Sequence, residues 1–85
     1  MFETKFENGN EIEPYNACAY AEGFCEGDGA SVADQIRAWA YLIKTGLCNT
    51  LQGWYGRTAA SLMESGVISQ DGIIDWDAVQ ESYNV

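Results

Sequence analysis

Cys18, Cys25 and Cys48 are the three thiols of the chain, and no histidine is present to deprotonate them. That absence removes Ser–His triads, Cys–His pairs and His-ligated zinc together. The cysteine spacings match no zinc ribbon, and an odd count cannot close into a disulfide framework. Reduced, partly buried thiols are the expectation. Carboxylates are plentiful, 13 against 4 Lys and Arg. Two close pairs, Glu11 with Glu13 and Asp75 with Asp77, are of a type that does acid–base work in other proteins. Both lie at polar element ends, where a solvated surface or helix N-terminal charge accounts for them. Ser31 and Ser61 stand in no nucleophile elbow, and no Gly-rich phosphate loop links a strand to a helix. Asp71-Gly72-Ile73-Ile74-Asp75 copies half of a calcium loop, but Val67 and Ala78 occupy the places of its first and last ligands. No catalysis, no metal and no cofactor is therefore expected.

Another string carries a different chemistry. Gly53, Trp54, Tyr55, Gly56 and Arg57 set two aromatics and an arginine between glycines. Trp, Tyr and Arg are the residue types enriched at interface hot spots, and a guanidinium can grip a carboxylate with two hydrogen bonds. These five residues are the candidate interaction surface. The competing reading is a tight helix–helix contact, with Arg57 tied to an acid of the same chain.

Four helices must position that string. Pro14 suits a first helical position, and 15–22 reads as a short Ala-rich helix ending at Gly23. Residues 23–30 read as a loop around Phe24 and Cys25. Ser31 is an N-cap with Asp34 at N3, opening a helix that runs to Lys44 and stops at Gly46. Val32, Ile36, Trp39, Ala40 and Ile43 share one face of it, with Leu42 at the border. Asn49 or Thr50 caps a third helix, 51–65, ending at Gly66, with Leu51, Trp54, Tyr55, Thr58, Leu62 and Met63 as its apolar stripe. Gly53 and Gly56 fall inside it at a cost of about 1 kcal/mol each, which points to close approach of another backbone, within the fold or across an interface. Residues 67–69 and 73–74 read as short extended pieces around a turn at 70–72, and Asp75 caps a last helix, 76–83. Before all of this, Phe2, Thr4 and Phe6 alternate with charged residues ahead of an Asn8-Gly9-Asn10 turn. The fold class is mainly α: a compact bundle of about four short helices, with a minor β-hairpin or extended arm at the N-terminus. The 85 residues form one small domain, an acidic arm at 1–13 and a helical core at 14–83.

A formal charge of −9 argues against direct nucleic-acid binding. The charge is uneven. Eight acids oppose only Lys5 in residues 1–34, whereas Arg37, Lys44 and Arg57 meet no acid between 35 and 63. That basic centre can pair with the acidic ends of its own chain or of a second subunit. No apolar run reaches the roughly 20 residues of a membrane span, and no signal-like stretch opens the sequence, so a cytoplasmic protein is expected. The 45–50 connection between the second and third helices invites a helix-turn-helix reading, but it is long for that motif, and the helix after it offers only one cation. Generic antiparallel packing is favoured.

Leu42-Ile43-Lys44-Thr45-Gly46-Leu47, then Leu51-Gln52-Gly53-Trp54-Tyr55-Gly56-Arg57-Thr58-Ala59-Ala60 and the stretch from Leu62 to Gly66, resemble a family of small tailed-phage proteins. Their shared core reads L-I-x-T-G, then L-Q-G-x-Y-G-R-T-A-x-x-L-x-x-x-G, and Ala19-Tyr20-Ala21-Glu22-Gly23 is similar to a further A-Y-E-x-G piece. Trp54 stands where histidine is common in that family, and the 24–30 loop is longer. The resemblance covers roughly residues 17–69. It implies a phage origin and a compact helical fold, and it assigns no chemistry. The expected role is a non-enzymatic accessory protein of a phage-infected bacterium, acting by protein contact. A homo-oligomer, with a dimer favoured, or a host or phage protein is the expected partner. The alternatives are an acidic inhibitor that mimics nucleic acid on a defence or replication enzyme, and a minor virion component.

Overall fold

In the computed structural model, residues 4–22, 31–51 and 53–83 are described. Helix α1 spans Pro14–Glu22, α2 Val32–Thr45, α3 Gly53–Glu64 and α4 Trp76–Tyr83, with a 3₁₀ turn at Leu47–Asn49 between α2 and α3. The chain exposes 5084 Å², against about 5,000 Å² expected for one folded domain of this mass.

Helix α2 is the central element. Ser31 Oγ accepts a hydrogen bond from the Asp34 amide at its start, and Gly46, in the left-handed conformation, closes it by donating to the Ile43 carbonyl. Helix α1 packs along it. Trp39 faces α3, Arg37 lies under Trp76 of α4, and the 69–73 turn rests on Ala40 and Lys44. Burial is therefore not confined to one stripe. Leu42, expected at the border of the apolar face, is fully buried, as is Ala38. A helix covered on several sides has no border.

The third helix begins later than the spacing predicts. Residues 47–49 tighten into the 3₁₀ turn, so Leu51 lies outside α3, and Asn49 and Thr50 do not cap it. Its core-facing residues are Tyr55, Ala59 and Leu62. The expected stripe is thus rotated: Trp54 and Leu51 face solvent, 42% and 36% exposed. Gly66 ends the helix, and the Val67 amide returns to the Leu62 carbonyl. Helix α4 starts where expected, with Asp75 Oδ1 accepting from the amides of Asp77 and Ala78.

Among the described residues the extended pieces amount to two isolated bridges, Lys5 with Glu11 and Ile68 with Ile74. The expected hairpin is thereby reduced to one bridge around the Asn8-Gly9-Asn10 turn. Even so, Phe6 and Ile12 are buried, and the Phe6 ring stacks on Tyr20 at 3.9 Å between centroids. The expected 23–30 loop and Cys25 lie outside the described residues.

Candidate functional site

Helix α3 presents the candidate surface from its first turn. Gly53 and Trp54 are exposed, Tyr55 is buried, Gly56 is intermediate and Arg57 is exposed. The α-helical repeat of about 100° per residue separates them: Tyr55 turns inward while Trp54 and Arg57 turn outward. Trp54 does not stand alone. It meets the buried Trp39 of α2 with ring centroids 5.7 Å apart and planes at 63°, and it meets Tyr55 at 4.8 Å and 80°. Such edge-on pairs are favourable beyond their buried area. The exposed indole is thus seated on a rigid aromatic base, and a partner that covers it need not first order it.

Arg57 folds back along the first turn, its Nη1 3.3 Å from where a side-chain carbon on Gly53 would sit. Among the described residues Arg57 makes no salt bridge, so the competing reading's tie to an acid of the same chain is not formed there. Two other cations are engaged: Arg37 pairs with Asp34 and Glu7, and Lys44 lies 5.5 Å from the centre of the Tyr41 ring.

Within the fold, the two glycines of the string do not mark a close backbone approach. Gly53 is the first residue of α3 and meets only Arg57, and a β-carbon on Gly56 would lie 3.8 Å from the Cys48 carbonyl, an ordinary contact. Gly56→Ala should therefore raise stability by roughly 0.5–1 kcal/mol through helix propensity. Urea denaturation measures this, and a loss of stability would restore the close-packing reading. The glycine that a neighbour does require is Gly72. It is buried at φ +84°, and a β-carbon there would meet Lys44 Cβ at 2.6 Å and the Ala40 carbonyl oxygen at 2.8 Å.

Two clusters carry no local sequence signal. In the first, the Tyr55 hydroxyl donates a hydrogen bond to Glu22 at the end of α1, beside Cys18. Burial, followed by Glu22, pushes the Tyr55 hydroxyl well above its ordinary range. Burial, then the Glu22 charge, likewise raises the Cys18 thiol, and burial raises Cys48. Both thiols are free, and both shifts favour the protonated form over the thiolate. In the second cluster, Asp34 is 6% exposed. Its Oδ1 accepts from the Glu7 amide at 3.0 Å and from Arg37 at 2.9 Å. Ser31 donates to Glu7 Oε1, and the Arg37 guanidinium lies 5.0 Å from the Trp76 ring centre. The N3 position explains an acid at Asp34, but its long-range partners are invisible to spacing.

Of the paired carboxylates, Glu11 and Glu13 line an open polar cleft of about 340 Å³ with Asn10, Tyr15, Asn16 and Tyr20. The Asn16 amide there is already used, accepting from the Glu13 amide and donating to the Glu11 carbonyl. Asp75 is used as the cap of α4. No group of three or more Cys, Asp and Glu among the described residues is placed to hold a metal ion, and none of the described helices is long and apolar enough to cross a membrane.

A family model described as a domain of unknown function (DUF7417) matches residues 25–83, more than half of the chain. The matched region contains α2, α3 and α4, and with them the whole of the candidate surface. Neither a curated protein nor a solved structure matches the chain.

Proposed function

The chain belongs to the DUF7417 family, a domain of unknown function, and on that footing we propose that it is a non-enzymatic accessory protein that acts by protein contact through the outer face of α3. One observation carries the reading. Trp54 is 42% exposed on an ordered aromatic base, beside an arginine with no salt bridge among the described residues, in a chain of net charge −9. A half-exposed tryptophan next to an available guanidinium is the composition of a hot spot waiting for an apolar and acidic counterpart. The working place of such a protein is the cytoplasm of a phage-infected bacterium, as the residue resemblance implies.

The test is capture of partners from host lysate by the tagged full chain, beside Trp54→Ala and Arg57→Ala. Both substitutions fall on exposed side chains, and both variants should keep the helical circular-dichroism signal. One stoichiometric partner is expected, weakened by about 30-fold or more in the tryptophan variant. An unchanged set of captured proteins in both variants would refute the α3 face. Binding that survives both substitutions and disappears only as salt rises would favour the acidic-inhibitor reading.

A further inference from the structure

A groove of about 170 Å³ opens between α2, α3 and the end of α4. Its floor is Val32, Ile36 and Trp39, and its banks are Thr58 and Leu62 of α3 and Tyr83 of α4. The volume falls below the range of small-molecule sites, about 300–1,000 Å³, and suits one or two apolar side chains. Trp54 stands one turn before Thr58 and touches Trp39, so the candidate surface runs into this groove.

The two banks differ in charge. Before Glu64 at its end, α3 carries Arg57 and no acid, whereas α4 carries Asp77 and Glu81 and no base. All three side chains are exposed. Helical spacing sets Arg57 on the solvent flank of α3, and Asp77 and Glu81, one turn apart, on the solvent flank of α4. Helix α4 is also thinly held. It has eight residues and buries only Val79, while Trp76 and Tyr83 stay 36% and 43% exposed. A helix that short depends on packing for its stability.

We propose that the groove is occupied by a second copy of the chain, related by a two-fold axis through the groove. In such an interface the same patch meets itself turned round. The α3 bank of each copy then lies over the α4 bank of the other, so Arg57 faces the partner's Asp77 and Glu81 twice. Trp54 and Tyr83 are covered twice by the same operation. Banks of one sign would repel their own image, and banks of opposite sign attract it. The inference rests on the contact reading above and names the occupant of that surface.

The test is sedimentation equilibrium of the full chain at high micromolar concentration, beside Arg57→Glu and Glu81→Lys. A dimer mass is expected for the wild type, with each reversal weakening association by about tenfold or more. An equimolar mixture of the two variants should recover much of the dimer, because both pairings of position 57 with position 81 then have opposite signs and Asp77 is left with one like-charged neighbour instead of two. Recovery also shows that both variants are folded. A monomeric wild type overturns the proposal. So does a dimer indifferent to both reversals, or a mixture that stays dissociated. A monomer that still captures a partner through Trp54 would overturn the dimer alone and leave the contact reading standing.

Discussion

An Asp34→Ala protein is expected to lose about 3 kcal/mol of folding stability, a large share of what an 85-residue domain possesses. The carboxylate is 6% exposed and receives both the Glu7 amide and the Arg37 guanidinium. Removing it leaves the Glu7 amide without its acceptor and takes from the half-buried Arg37 guanidinium its closer carboxylate, with a desolvation penalty for the orphaned donor. To swing fully into water the arginine would also give up its contact with the Trp76 ring, 5.0 Å away. Asp34→Asn keeps an acceptor oxygen for the Glu7 amide and should lose roughly half as much. Denaturant midpoints at constant slope measure both variants. An alanine variant within about 0.5 kcal/mol of wild type would show that the cluster contributes little.

Gly72→Ala should cost a similar amount, about 3 kcal/mol, for a different reason. At φ +84° any side chain is strained by about 1 kcal/mol. The added carbon would also sit 2.6 Å from Lys44 Cβ and 2.8 Å from the Ala40 carbonyl. Neither is the free end of a flexible side chain, so the turn must lift off α2, with an overpacking cost of order 1–3 kcal/mol. Gly9→Ala separates the two contributions. Gly9 has φ +88° with nothing within 4 Å of a β-carbon, so that variant should lose only about 1 kcal/mol. For a domain of this size, the Gly72 variant should melt about 15 °C lower. Equal melting temperatures for the two variants would remove the steric argument.

Particular residues show how far the sequence was legible. Ser31, Gly46, Gly66 and Asp75 announced the ends of three helices, because capping is a local chemistry written in adjacent residues. The four-helix class followed from them. The start of α3 did not, because the 3₁₀ turn at Leu47–Asn49 absorbs residues that look equally helical by spacing. The burial of Leu42 was missed because periodicity describes one covered face, and α2 is covered on several. Asp71-Gly72 was readable as a turn, but nothing in the dipeptide tells that α2 lies beneath it. The residues of the candidate surface are singled out by type, yet their two glycines meet no close backbone within the fold. The outward direction of Trp54 depends on how α3 is rolled against Trp39, which is a tertiary fact.

The Glu7–Asp34–Arg37–Trp76 relay has a kinetic consequence. It joins the first turn to the last helix across nearly the whole length of the chain, and the Tyr55–Glu22 bond spans 33 residues more locally. Helical proteins fold fast when their contacts are near neighbours in sequence, and slow as loops must close before contacts form. This domain closes long loops as well as helical turns, so the relay is expected to form after the helices as the chain folds. Detaching the arm takes the Glu7 amide from Asp34, and detaching α4 takes Trp76 from Arg37, so opening at either end disturbs the same cluster.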